Sequence, residues 1–281
     1  MNKNTDLTTG GILQKLVFVA FPIIGTQLMQ MLYNLTDMFW LGRLSSDDVA
    51  ASGASGMFLW LGMALMLIGR MGAEIGVSQN KGRGDMETAR GFAQTAWQLA
   101  LGFGVLYGAV LSICSVPLVS FYDIQETHVA QAASAYLCII GLGIPASYMT
   151  ASITGAFNGS GNSRIPFYFN AVGLLMNMIL DPFMIFTLGL GIRGAAFATI
   201  IAQWTVNILL LTAMKKHRDR PFAHFPLATK PSRVRIKQII RWTLPISLES
   251  GLFSLLAMTV TRLVTGFGAD ALAVQRVGGQ I

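Results

Sequence analysis

The chain has 281 residues, of which 53% are hydrophobic and only 12% are charged. This composition is too apolar for a soluble domain or a disordered chain, and it predicts a polytopic membrane protein. The net charge of +7 does not indicate a nucleic-acid partner, because the basic residues concentrate in one connecting loop, as membrane topology requires.

Apolar segments divide the chain into seven candidate membrane spans and the beginning of an eighth. Their approximate bounds are 15–42, 50–79, 90–116, 129–157, 165–187, 191–214, 238–267 and 271–281. Polar breaks separate the first five spans, and a short glycine turn and a long basic connection separate the next ones. We therefore expect an all-α membrane helix bundle. It would consist of a six-helix first lobe (1–214), a basic cytoplasmic loop (215–237) and the start of a second lobe (238–281).

The basic residues are distributed unequally between the two sides of the membrane. Fifteen lysines and arginines fall on the side of the amino terminus, against Arg43 and Arg193 on the other side. Cytoplasmic loops carry the excess of such residues. The sequence thus predicts a multi-pass protein of an inner or plasma membrane with a cytoplasmic amino terminus.

The first span carries a polar stripe. Gln27, Gln30, Asn34 and Asp37 recur at helical spacing and fall within roughly 80° of arc at 100° per residue. An ionised carboxylate at the centre of a spanning helix costs roughly 2.5–3.5 kcal/mol, so Asp37 is expected to face protein or water. This stripe is a candidate functional surface.

The fifth span has a second stripe within its apolar run from Phe167 to Phe186. Asn170, Asn177 and Asp181 fall within roughly 40° of one another on a helix. By the same cost argument, Asp181 marks a functional site. The alternative is a boundary aspartate at a helix end that the following proline favours.

A third stripe, formed by Thr199, Gln203 and Asn207, lies in the sixth span. Ordinary hydrogen bonding between helices is an equal alternative for it. We predict that Gln203 lines a substrate cavity together with Gln30 and Asn34 of the first span.

The polar side chains of the three helices are expected to lie at similar depth. At 1.5 Å per residue, Asp37 and Asp181 lie roughly 9 Å below the outer ends of their helices, and Asn177 and Thr199 roughly 12–15 Å below. Burial penalises the charged form of a carboxylate, so a proton or another cation could load and leave there. The sequence thus predicts one ion-coupling pocket in the outer half of the first lobe.

The chain repeats weakly at a constant offset of 223 residues. Pro22 corresponds to Pro245 and Gly56 to Gly279, whereas Asp37 corresponds to Val260. Six spans separate the copies, so the repeats point the same way through the membrane, as in transporters built from two parallel halves. We expect a protein of nearly twice this length, whose carboxy-terminal lobe is largely missing here.

Taken together, several motifs resemble the multidrug and toxic compound extrusion (MATE) transporters. They are Pro22, Asn34-Leu35-Thr36-Asp37, Gly42, Gly72-Ala73-Glu74, Val77-Ser78-Gln79, Gly155, Gly161-Asn162-Ser163, Asn177, Asp181-Pro182, Gly194-Ala195-Ala196 and Thr199. The resemblance implies twelve helices in two lobes, alternating access, and exchange of H⁺ or Na⁺ for cationic amphiphilic compounds. It makes Asp37 the protonation or cation site, completed by Asn177, Asp181 and Thr199. These four residues would be the metal ligands if the ion is Na⁺, and no other cofactor is expected.

Two alternative functions agree less well with the sequence. A flippase for lipid-linked glycans should have a cavity rich in cationic residues, yet only Arg70 and Arg262 lie within spans. An intramembrane enzyme would need a pair such as serine with lysine or histidine inside the bilayer, and none is visible. Arg70 has Glu74 one helical turn away, which favours an intrahelical ion pair over a role in substrate binding. The expected partners are membrane lipid, small cationic organic substrates and the missing lobe.

Overall fold

The computed structural model describes residues 12–216 and 232–278, and within these ranges it contains helices and no strands. The helices are α1 (Ile12–Gly42), α2 (Ser46–Gly82), α3 (Met86–Ile113), α4 (Ser115–Ser120), α5 (Thr127–Gly141), α6 (Ile144–Gly159), α7 (Arg164–Pro182), α8 (Ile192–Lys216), α9 (Arg233–Thr265) and α10 (Ala269–Gly278). A π-helical segment, Phe183–Thr187, directly follows α7. Most of the predicted basic loop, residues 217–231, lies outside the described residues, as do residues 1–11 and 279–281.

Several of these helices are long and apolar enough to cross a membrane. They are α2, α3, α7 with its π-helical extension, α8 and α9. With 31 residues, α1 measures about 46 Å, which exceeds the roughly 30 Å of a hydrocarbon core. The predicted all-α membrane bundle is confirmed.

The fourth predicted span, 129–157, is not one straight helix. It consists of α5 and α6, which are bent by 50° at the break between them. Pro145 occupies the first turn of α6, where its missing N–H and its ring do not disturb a helix that starts there but would disrupt one that continued. Span length alone could not reveal this bend.

Other helix ends follow local capping rules. Ser45 accepts a hydrogen bond from the Asp48 backbone N–H at 3.0 Å and starts α2. Asp85 accepts one from the Thr88 N–H at 2.9 Å and starts α3. Such caps satisfy backbone donors that lack partners inside the helix. The start of α9 differs from the prediction. The helix begins at Arg233, several residues before the predicted start at 238. An apolar criterion misses these first turns because they are basic.

The centre of the first lobe is α2, which packs against α3, α6 and α9. At Gly155 and Gly159 of α6, a Cβ atom would collide with the backbone carbonyls of Arg70 and Glu74. Small residues at these crossings let the two helix backbones approach closely. The result is a tightly packed side of the lobe, formed by α2, α3, α5 and α6.

The polar stripes lie on the other side of the lobe, formed by α1, α7 and α8. There α7 packs between α1 and α8. Pro182 is the last residue of α7, but the helical conformation continues directly into the π-helical segment. Such π-helical turns are frequently found at functional sites.

The helix boundaries support the internal repeat. Gly42 ends α1 and Thr265 ends α9, and Ser46 starts α2 and Ala269 starts α10. Both pairs are separated by the same 223 positions as the sequence repeat. However, α9 packs on α2, whereas α1 packs mainly on α7.

Candidate functional site

The polar side of the lobe brings together the four residues that were predicted to bind the coupling ion. Asn177 and Asp181 of α7 are fully buried, and Asp37 of α1 and Thr199 of α8 are each only 6% exposed. Each comes from one of the three sequence stripes. The amphipathic spacing therefore identified the helix faces that meet.

Asn177 and Asp181 are adjacent on successive turns of α7. The Asn177 side-chain amide donates a hydrogen bond to the Asp181 carboxylate, with 3.1 Å between Nδ2 and Oδ1. This hydrogen bond orients the carboxylate and leaves the amide oxygen available. Asp181 directly precedes Pro182 and the π-helical segment, so it lies inside a continuous span rather than at a helix end in water.

The carboxylates of Asp37 and Asp181 are close enough to interact electrostatically. Two like charges in a site shielded from water repel each other. A cation bound between them, or a proton on one of them, removes this repulsion. The pair is thus suited to bind and release a single positive charge.

Tyr33 belongs to this cluster, and the sequence reasoning missed it. It interacts electrostatically with Asp37 and Asp181, and its hydroxyl is adjacent to that of Thr199. Tyr33 precedes Asp37 by four residues, so it lies on the same face of α1. That spacing could have revealed it, but a tyrosine in an apolar run is usually taken as packing.

Several buried oxygens of the cluster have no hydrogen-bond partner with good geometry among the described residues. They are the Tyr33 hydroxyl, the Asn177 amide oxygen, Asp181 Oδ2 and the Thr199 hydroxyl. Buried polar atoms are normally satisfied, so a group of such oxygens indicates a ligand site. Carboxylate, amide and hydroxyl oxygens are the ligands that hard cations prefer.

A cavity of about 220 Å³ lies next to the carboxylate cluster. Tyr33, Gln30 and Gln203 line it, as do Gln27 and Asn170 of the first two stripes. Tyr33 therefore connects the cavity with the carboxylates.

Two predicted residues have other surroundings. Asn34 is half-buried on α1 and does not line this cavity. The amide of Asn207 donates hydrogen bonds to the Ala146 carbonyl at 3.4 Å and to the Thr150 hydroxyl at 3.3 Å. The stripe of α8 is thus divided, with Thr199 at the carboxylates, Gln203 at the cavity and Asn207 in contact with α6.

Arg70 does not form the direct ion pair with Glu74 that the sequence favoured. The two side chains, both within the described residues, interact electrostatically without an N–O contact of hydrogen-bond length. Instead, the side chain of Arg70, which belongs to α2, lines the cavity.

Buried carboxylates and a polar cavity inside a bundle of membrane spans are typical of secondary transporters. The fold and the site thus place this chain in the class of multi-pass membrane proteins built like transporters.

Comparison with known proteins gives the family. The model of the MatE family matches residues 22–183, more than half of the chain. The chain belongs to the MatE family, and the resemblance to MATE transporters seen in the sequence is confirmed.

Individual relatives agree with this assignment. The chain is 27% identical to "Probable multidrug resistance protein NorM" of Thermotoga maritima, with 95% of this chain and 58% of the relative aligned. It is 29% identical to "Multidrug resistance protein PmpM" of Pseudomonas aeruginosa, covering 88% and 54% respectively. The chain thus spans little more than half the length of these relatives.

A solved structure shares the fold. The chain matches "Crystal structure of MATE in the bent conformation" with a TM-score of 0.80 and 25% identity, over 98% of this chain and 61% of the other. The helix bundle is therefore that of a MATE transporter over the length that the two chains share.

Proposed function

We propose that this chain forms the first lobe, and the start of the second, of an antiporter that exports cationic amphiphilic compounds in exchange for H⁺ or Na⁺. The observation that carries the proposal is the buried cluster of Asp37, Asp181, Asn177 and Thr199 beside the cavity. The names of the relatives, which are multidrug resistance proteins, agree with export of foreign compounds.

The exchange follows from the electrostatics of the cluster. Without a bound cation, Asp37 and Asp181 repel each other, and relief of this repulsion favours uptake of H⁺ or Na⁺. Tyr33 contacts the cluster and lines the cavity, so a change in the occupancy of the carboxylates reaches the cavity through one side chain. Ion binding and substrate binding are thereby coupled, and such coupling is reciprocal.

The proposal includes the surroundings of the lobe. The excess of basic residues on one side supports an amino terminus on the cytoplasmic side of an inner or plasma membrane. Alternating access needs a second lobe against which the first moves. Exposed apolar side chains of α1, such as Phe21, Ile24 and Leu28, are available to lipid or to that lobe.

The glycan flippase receives no support from the cavity. A lipid-linked glycan carries a pyrophosphate, which several cationic side chains would have to neutralise. Among the described residues that line the cavity, Arg70 is the one cationic side chain.

The decisive test uses Asp37→Asn and Asp181→Asn in the full-length protein, reconstituted in proteoliposomes with an imposed pH or sodium gradient. Each variant removes one carboxylate charge without changing its shape. We expect uphill export of a cationic dye to fall about 5- to 150-fold, the range that corresponds to coupling free energies of 1–3 kcal/mol.

Asp123→Asn is the matched control. Asp123 is exposed in a turn with a φ of 52°, a conformation that asparagine tolerates well, and its loss should leave export unchanged. Export at the wild-type rate by both site variants would refute the proposal. The gradient that drives export, pH or sodium, identifies the coupling ion.

A further inference from the structure

The cavity contains a cationic side chain that the proposed ion exchange does not use. Arg70 lies on α2, within a membrane span, and its side chain lines the cavity. It makes no hydrogen bond or ion pair with any residue that the structure describes. A guanidinium that lines a cavity and has no hydrogen-bonded partner among the described residues is a candidate binding site for an anionic group.

The other intramembrane arginine has a structural explanation. Arg262 of α9 lies over the Phe121 ring, with 4.8 Å between its guanidinium carbon and the ring centroid. Such a cation–π contact stabilises the charge without a ligand. Arg70 has no aromatic partner of this kind among the described residues.

The charge balance around Arg70 leaves its donors unused. Glu74 lies one turn further along α2 and offsets part of the charge through space, but it does not line the cavity. No aspartate or glutamate is among the described residues that line the cavity. A guanidinium presents five N–H donors in a planar fork, which matches a carboxylate with two parallel hydrogen bonds.

The remaining lining fits the body of an amphiphile. Met29, Met66 and Leu174 provide apolar surface, and Thr154 and Asn158 of α6 provide polar groups. Gly155 brings α6 against the Arg70 carbonyl, so these polar groups lie on the helix that faces Arg70. The cavity of about 220 Å³ thus combines apolar walls with one cation.

The guanidinium lies far from the carboxylate cluster. Asp37 is five residues from the end of α1 at Gly42, or about 8 Å along the helix, whereas Arg70 is about 36 Å along α2 from its start at Ser46. Both helix ends lie on the same side of the membrane, because α1 and α2 are joined there. Asp37 and Arg70 therefore do not neutralise each other, and the two sites use different side chains.

We propose that Arg70 is a specificity-determining residue of the cavity, whose guanidinium binds the carboxylate of those transported amphiphiles that carry one. This inference rests on the proposed function only in treating the cavity as the substrate site. It assigns Arg70 a role in substrate selection, separate from ion coupling.

The test compares two dyes that share a xanthylium chromophore: a rhodamine with a free benzoate and its ethyl ester. Equilibrium binding of each dye is measured by fluorescence polarisation with the purified full-length protein, for wild type, Arg70→Gln, Arg70→Lys and Arg262→Gln. We expect Arg70→Gln to weaken binding of the carboxylate dye about tenfold or more, because it removes a charge-assisted contact. Binding of the ester should change less than about twofold.

Two variants separate binding from support of the fold. Arg70→Lys keeps the charge but not the fork, so it should retain part of the preference for the carboxylate dye. Arg262→Gln removes a span arginine outside the cavity and should leave the ratio of the two affinities at the wild-type value. Glu74→Gln leaves Arg70 without its neighbouring charge and should tighten binding of the carboxylate dye.

Several results would overturn the inference. They are equal weakening of both dyes by Arg70→Gln, no change in either, and a wild-type protein that binds neither dye. Failure of the proposed function looks different, because the wild-type protein would then bind the carboxylate dye in an Arg70-dependent way yet fail to export either dye under an imposed gradient.

Discussion

The two sides of the first lobe differ in the hydrogen bonding of their tyrosine hydroxyls. On the packed side, the Tyr107 hydroxyl donates to the Phe58 carbonyl at 2.6 Å, and the Tyr148 hydroxyl donates to the Gly62 carbonyl at 2.5 Å. On the polar side, the Tyr33 hydroxyl lies beside two carboxylates without a well-formed hydrogen bond to a described residue. Tyr122 and Ser152 are exceptions on the packed side, because their buried hydroxyls have no hydrogen-bond partner among the described residues.

This difference separates scaffold from site. The close helix contacts leave the packed side little room for added volume, because closely packed interiors are sensitive to even small changes in volume. On the polar side, several buried oxygens have no hydrogen-bond partner among the described residues, and such groups cost free energy unless water or a ligand binds to them. Substitutions at the close helix contacts of the packed side should therefore affect folding, and substitutions in the carboxylate cluster should affect transport.

The largest effect is expected for Gly155→Leu on the packed side. Any side chain at this position collides with the Arg70 backbone carbonyl, which cannot move without shifting α2. We expect a loss of about 3 kcal/mol or more of folding free energy, at the upper end for overpacked cores. The measurement is the yield of folded protein and its thermal unfolding in detergent.

Gly102→Leu is the control for this substitution. Gly102 is exposed on α3, and a Cβ there meets no atom within 4 Å. Equal losses for the two leucine variants would mean that close contact does not distinguish the packed side.

A medium effect is expected for a pair of tyrosine variants. Tyr33→Phe should lower gradient-driven export roughly 2- to 13-fold, the equivalent of one hydrogen bond of about 0.5–1.5 kcal/mol, with unchanged thermal stability. Tyr107→Phe should do the reverse, lowering stability by about 1 kcal/mol with unchanged export. The measurement is export and thermal unfolding on the same preparation of each variant. If the two variants changed export and stability in the same way, the proposed difference between the packed side and the polar side would be refuted.

The smallest effect is expected at an exposed ion pair between helix starts. His128 of α5 contacts Asp47 of α2, with 2.7 Å between Nε2 and Oδ2, and both side chains are well exposed. Exposed pairs contribute roughly 0–1 kcal/mol. His128→Gln should therefore change stability by less than about 1 kcal/mol and leave export unchanged. A large loss of either would mean that the starts of α2 and α5 also belong to the site.

The repeat adds a second contrast within the chain. Asp37 of α1 corresponds to Val260 of α9, which is 53% exposed, and both helices end at equivalent positions. One scaffold thus carries a buried carboxylate in one copy and an outward-facing valine in the other. The polar stripe of α1 is therefore not needed to form the helix.

The sequence alone determined that the elements are helical membrane spans, and it showed the repeat and three polar faces, because hydrophobicity and helical periodicity are local properties. Asp37, Asn177, Asp181 and Thr199 could be named as one group from spacing and depth. Their role in ion coupling stays a prediction that the variants above test.

Only the tertiary structure decided which side chains surround the site. Tyr33 joined the cluster, Asn34 lay outside the cavity lining and Arg70 lined the cavity instead of pairing with Glu74. It also divided one predicted span into α5 and α6. The physical reason is that such choices depend on how helices cross and rotate against each other, which is set by contacts between residues far apart in the chain.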